Sequence, residues 1–175
     1  LTKGGLAGDA ICDRRYHGDP DQAVYVEGSR SLDQWRADLG MSIAYGEFGE
    51  NLVINDLDNK IVAVGDRLVI GEVVLEVTAP RMPCATFAAK MNDPQFVKRY
   101  RKAERPGFFC RVIKAGEVKA GMSATLKPYT GKRITMPDMM RDYGRTIAGE
   151  RLADYLATPI HEKLRASLTT GKVKF

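Results

Sequence analysis

From Lys60 onward, apolar residues fall at every second position: Val62 and Val64, then Leu68 and Ile70, then Val73, Leu75 and Val77. Gly65-Asp66 and Gly71 separate the runs. Successive side chains of a strand point to opposite faces, so the pattern predicts strand, tight turn, strand, with one face buried. A second hairpin pattern runs through Phe108 to Ile113 and Val118 to Leu126, around Lys114-Ala115-Gly116-Glu117, with Gly121 as a bulge or bend. Upstream, Ala23-Val24-Tyr25-Val26 is a shorter β-prone run. Repeated hairpins in one short chain suggest a closed or nearly closed barrel.

Helical periodicity appears in separate places. Leu32, Trp35 and Leu39 recur on one face of a helix over Ser31 to Leu39, and Gly40 stops it. Between the two hairpin patterns, Asp93 caps and Pro94 opens a helix whose apolar face holds Phe96, Val97 and Tyr100. After Pro128 the chain turns to helix formers and charges. Thr135-Met136-Pro137-Asp138 opens one short helix, and Gly149 to Leu156 and Pro159 to Leu168 read as two more. The expected organisation is a β-rich barrel over 1–128 and a helical extension over 129–175, folded back because three short helices bury little alone.

The chain has 175 residues, 44% of them hydrophobic and 8% aromatic, enough for one domain with a real core and a small appendage. No apolar run approaches the roughly 20 residues that cross a bilayer, and no charged-then-apolar leader opens the chain. A soluble, cytoplasmic protein is expected. The opening Leu1-Thr2-Lys3-Gly4-Gly5 lacks a methionine, as if a leading segment were processed away or not included. Cys12, Cys84 and Cys110 are an odd set without a Cys-x-x-Cys pair, which argues against a disulfide framework and a structural zinc site. His17 and His161 are the two histidines, too few for a histidine-rich metal site. The net charge of +5 and pI near 9.1 suit an anionic ligand, though such an excess is common, and nucleic acid is not the expected partner.

Cys84 stands out among the reactive groups. It ends Pro80-Arg81-Met82-Pro83-Cys84, where both prolines push their preceding residues toward extended backbone and stiffen the loop. Arg81 is a permanent positive charge three residues away, and a helix expected to start at Ala85 or Thr86 also favours the thiolate. Thiolates bind soft metals or attack electrophiles. The alternative is a buried structural cysteine, the reading given to Cys110 in Phe108-Phe109-Cys110-Arg111-Val112.

Elsewhere, Asp9, Asp13, Arg14, Arg15, Tyr16 and His17 form either a solvated turn or an anion site with His17 as proton donor. Gly46-Glu47-Phe48-Gly49-Glu50-Asn51-Leu52 sets a carboxylate beside an amide, to hold either a ligand or a neighbouring loop. Lys98, Arg99, Arg101, Lys102 and Arg105 read as a solvated helix face or, alternatively, as a phosphate contact.

Taken in order, Gly8-Asp9 and His17-Gly18, Phe48-Gly49-Glu50-Asn51-Leu52, Val64-Gly65-Asp66, Pro80-Arg81-Met82-Pro83-Cys84, and Arg111-Val112 with Gly116 and Gly121 resemble the MOSC family. The resemblance covers roughly Leu6 to Leu126, and the region from about Gly131 resembles the three-helix extension of compact bacterial members. The family commonly shows two glycines after the histidine, where this chain has Gly18 followed by Asp19.

The resemblance implies an α+β fold, a β-rich barrel with a few helices. It also implies the molybdenum cofactor (molybdopterin), with Cys84 as molybdenum ligand or sulfur carrier. Cys84 and His17 are then the catalytic pair, and Arg81, Asn51, Arg111, Glu50 and Asp9 the cofactor-binding set. The activity implied is reduction of N-hydroxylated compounds of the hydroxylaminopurine type, which needs a small-molecule substrate and an external electron-donor protein. A non-catalytic cofactor or persulfide carrier is a second reading. A basic anion-binding barrel in which Cys84 is structural is a third.

Overall fold

The computed structural model describes residues 1–8, 19–170 and 172–174. Within them, six strands form one barrel-like sheet: β1 (Val24–Gly28), β2 (Leu52–Ile54), β3 (Arg67–Ile70), β4 (Val73–Pro80), β5 (Phe108–Lys114) and β6 (Ala124–Lys127). Their order is β2-β1-β5-β4-β3-β6, with β1 and β2 parallel and every other pair antiparallel. Six helices accompany the sheet: α1 (Ser29–Leu39), α2 (Ala85–Lys90), α3 (Phe96–Ala103), α4 (Met136–Asp142), α5 (Gly149–Leu156) and α6 (Glu162–Leu168). The expected α+β architecture is the observed one.

The first hairpin forms where the alternation places it, with Ile70 opposite Val73 across Gly71 and Glu72. Val62 to Val64, although fully buried, is not a strand of the sheet. Its backbone meets the start of α4 instead, Val64 donating to the Ile134 carbonyl at 3.0 Å and Met136 to that of Val62 at 2.9 Å. The second hairpin does not form. Both edges of β5 are taken, by β1 and β4, so β6 crosses to the open edge of β3. Alternation reports which face is buried, and says nothing of which strand lies alongside.

Two apolar clusters occupy different places. One gathers Val24, Val26, Leu68, Leu75, Val77, Phe108 and Cys110 from the sheet with Met136, Met139, Tyr155, Ile160 and Leu164 from beyond residue 128. The helices of the extension thus share the barrel's own core. The other is aromatic: Trp35 stacks on Tyr100 at 5.3 Å, and Phe48, Phe87 and Phe96 pack edge-on to one another around them, beneath α1, α2 and α3. Such ring pairs add to burial about 0.5–1.5 kcal/mol each. This second cluster is the floor on which the Cys84 loop stands.

Polar anchors lock the extension in place. Asp66, fully buried, accepts from Ala63 N at 2.9 Å and Tyr129 N at 2.8 Å, and pairs with Arg133 at 2.7 Å. Gly65 precedes it with φ of +81°, and a Cβ there would lie 2.8 Å from the Tyr129 ring, so no other residue fits without displacing the ring.

Candidate active site

The loop that carries Cys84 leaves the end of β4, where Pro80 lies opposite Phe108, and its first residue is pinned by Arg81 N donating to the Gly107 carbonyl at 2.8 Å. Two prolines make the next turn, and Cys84 becomes the N-cap of α2 with extended backbone and no side-chain cap bond. The thiol is exposed. It therefore sits on a rigid mount, open to solvent, where the first amides of α2 have no partner on the preceding turn.

Arg81 turns its guanidinium onto aromatic faces, 3.7 Å from the centre of Phe87 and 5.3 Å from that of Tyr25. Its Nη1 is buried and makes no hydrogen bond. A cation held this way is weakly neutralised, since ring faces contribute far less than a carboxylate.

Below Arg81 lies a polar network that local sequence patterns did not single out. Tyr25 and Glu27 share one face of β1, and the Tyr25 hydroxyl donates to Glu27 Oε1 at 2.5 Å. Asn59 Nδ2 donates to Glu27 Oε2 at 2.6 Å, and Gly107 N donates to the Tyr100 hydroxyl at 3.1 Å. A Cβ on Gly107 would stand 2.2 Å from Glu27 Oε1, so glycine is what lets the two chains meet. Burial pushes the Glu27 carboxyl up to about 7; the bonds from Tyr25 and Asn59 oppose that rise, and the nearby Glu50 carboxylate adds to it. Burial likewise pushes both phenols up. The signal available in the sequence was the two-residue spacing of Tyr25 and Glu27 on an otherwise apolar strand.

Of the residues expected at the site, Arg81 and Cys84 share the loop, and Glu50 and Asn51 lie just before β2, where Asn51 meets the backbone of Tyr25, whose ring lies under Arg81. Asn51 grips Tyr25, its Oδ1 accepting from Tyr25 N and its own N donating to Tyr25 O, both at 2.8 Å. These two bonds tie the segment before β2 to β1. Glu50 accepts from Gly46 N at 2.5 Å through one oxygen, while the other is buried without a hydrogen-bond partner. Arg111 belongs to a separate seam. It pairs with Asp21 at 2.9 Å and donates to the Pro159 and Ile160 carbonyls at 3.2 and 3.1 Å. Asp9 and His17 lie outside the described residues. Cys110 is fully buried on β5, where burial pushes its thiol well up, as a core cysteine should be.

The same seam holds Asp19, Asp21 and His161 within 4.8 Å of one another. Their carboxylates are already engaged, Asp21 by Arg111 and by Glu162 N at 2.7 Å, Asp19 by Asp21 N at 3.0 Å and by Lys163 at 3.5 Å. His161 accepts from Lys163 N through Nδ1 at 2.9 Å, which makes it the neutral cap of α6. Burial holds its imidazole below the usual value.

A family model described as the MOSC domain matches residues 13–125. The chain is 32% identical to the uncharacterized protein YflK of Bacillus subtilis (strain 168), over 98% of this chain and 79% of that protein. It is also 32% identical, over 65% of its length, to a protein of Gibberella moniliformis named Reductase, of which the match spans 21%. In three dimensions it superimposes on the crystal structure of YiiM from Escherichia coli with a TM-score of 0.79 at 20% identity, covering all of this chain and 87% of that one. No helix among the described residues is long and apolar enough to cross a membrane.

Proposed function

The chain belongs to the MOSC domain family, and from that premise we propose that it is a molybdenum-cofactor-dependent reductase of N-hydroxylated compounds, with the Cys84 thiolate as protein ligand to the metal. The observation that carries the reading is the pairing of an exposed thiol on a rigid loop with the buried, unpartnered Nη1 of Arg81 at the root of that loop. The residues present fit the group: a soft sulfur donor suits molybdenum, and an unspent guanidinium suits the anionic end of its pterin.

When bound, the cofactor supplies the two-electron chemistry. The overall change is R–NHOH + 2 e⁻ + 2 H⁺ → R–NH₂ + H₂O, in which the N–O bond breaks and oxygen leaves as water. The protein's part is to present Cys84 in a fixed direction, to hold an anionic group at Arg81, and to keep both on the aromatic floor of Phe87 and Tyr25. Electrons come from a donor protein or domain. In the Gibberella relative named Reductase the matched segment is about one fifth of the chain, so such a relative has room for the donor within itself.

The exposure of Cys84 also favours a carrier that hands cofactor or persulfide sulfur to another enzyme. Elemental analysis of protein made in a cofactor-competent host, with a hydroxylamine-type substrate and a chemical reductant, separates the two. Near-stoichiometric molybdenum with turnover, both lost in Cys84→Ser, is the expected result. Metal without turnover gives the carrier, and protein free of molybdenum whether or not Cys84 is present rejects both cofactor readings.

A further inference from the structure

The face formed by α2 and α3 combines features that no site residue uses. Between the helices lies an open depression of about 560 Å³ lined by Ala85, Ala88, Ala89, Pro94 and Val97, with Asn92 and Asp93 at the turn. Ala85, which lines one end of the depression, follows Cys84 directly in the chain. The same two helices carry exposed cations: Lys90 ends α2, and Lys98, Arg101 and Lys102 occupy the solvent side of α3. Arg101 lies over the Tyr143 ring and Arg99 pairs with Asp93, but among the described residues Lys98 and Lys102 have no carboxylate partner. Arg105, counted with this run in the sequence, is internal and stacks on Trp35 at 4.6 Å while pairing with Asp38.

We propose that this face is the docking surface for the electron donor, a small acidic protein or domain carrying a flavin or an iron–sulfur cluster. The inference rests on the reductase reading, because only a reductase needs the donor. An apolar centre with a charged rim is the anatomy of a protein interface, and brief redox encounters use the small end of the size range, below about 1,200 Å². Unpaired lysines on the rim steer an acidic partner and release it readily. The fold puts the face where it is useful. After α3 the chain returns through Gly107 to the root of the Cys84 loop, and Phe87 of α2 packs on Tyr100 of α3 at 5.6 Å. Nucleic acid fits less well: α3 has eight residues, about 12 Å of helix, which spans few phosphates.

The test uses the full chain loaded with cofactor, and reduced flavodoxin, an acidic flavoprotein, as probe. Lys98→Glu with Lys102→Glu should raise the KM for flavodoxin about tenfold or more at low salt, with the gap closing as salt is added. Turnover driven by reduced viologen, which needs no docking, should stay at the wild-type rate, and Lys60→Glu, elsewhere on the surface, should leave both unchanged. The milder Lys98→Gln with Lys102→Gln should show the same direction. A flavodoxin KM within about twofold of wild type in the charge-reversed variant overturns the proposal. Absence of viologen-driven turnover in the wild type is a failure of the reductase reading instead. Calorimetric titration with flavodoxin then still decides the surface: affinity weakened tenfold by the double variant supports it, and unchanged affinity, or a loss confined to a single-stranded oligonucleotide, rejects it.

Discussion

Glu27 is a carboxyl sealed under the Cys84 loop, and its proton is readable from outside. Its pKa is raised from an ordinary 4.5 to about 7, so between those values the unfolded chain has released the proton while the folded chain keeps it. Folding is then opposed increasingly as pH climbs from 4.5 to 7 and by a constant amount above, roughly 3 kcal/mol in all. Glu27→Gln removes this dependence. The stability of the variant relative to wild type should rise between pH 5 and pH 8 by about that amount, measured by urea denaturation at each pH. An offset of about 1 kcal/mol against the variant at pH 5 is expected, because one of two donors, Tyr25 and Asn59, then faces an amide nitrogen. A difference that is flat with pH would mean that Glu27 is ionised throughout.

Among the elements, α4 is the one whose beginning is written most fully in its residues. Thr135 accepts from Asp138 N, Asp138 accepts from Thr135 N, and a proline occupies the first turn. Thr135→Ala should cost about 1 kcal/mol in thermal or urea unfolding, with Thr135→Ser close to wild type. The same kind of local grammar made α1, α5 and the β3–β4 hairpin legible, since caps, glycine stops and apolar spacing all act within a few residues. The stiff loop of Cys84 was legible for the same reason. The pairing of β1 with β5 joins positions 82 to 86 residues apart, and the Glu27–Asn59 bond joins positions 32 apart. Nothing in a local pattern encodes such partners; Glu27 looked like an ordinary polar residue at a strand's end. Arg111, singled out from the sequence for an anion contact, donates to the Pro159 and Ile160 carbonyls just before α6, partners equally distant in the chain.

At the scale of the molecule, the barrel and the helices beyond residue 128 behave as one packed body with a polar seam on one side. Arg111 is the centre of that seam, joined to Asp21, to Glu76 at 3.7 Å and to two carbonyls. Arg111→Met keeps the apolar stem and takes the shared cation from Asp21 and Glu76, leaving Asp21 the Glu162 amide and Glu76 its pair with Arg67. It should cost about 2–3 kcal/mol, somewhat less than a fully buried pair because the side chain is partly exposed. A cooperative single unfolding transition at lower denaturant is expected, by circular dichroism and by proteolysis within 129–175 alike. Cleavage of the extension well before global unfolding would instead show two separately stable parts.

The order of the strands also fixes a schedule for synthesis. β1 finds β2 soon after it is made, but its other edge waits for Phe108 to Cys110, some eighty residues later. At the usual pace of a ribosome that is a delay of roughly 4 to 16 seconds, with an apolar strand edge on display. Cys84 emerges within the same interval, before Gly107 exists to anchor Arg81. The nascent chain therefore presents its thiol to the cell before the loop has its anchor, and the fixed direction of Cys84 belongs to the finished fold rather than to the growing one.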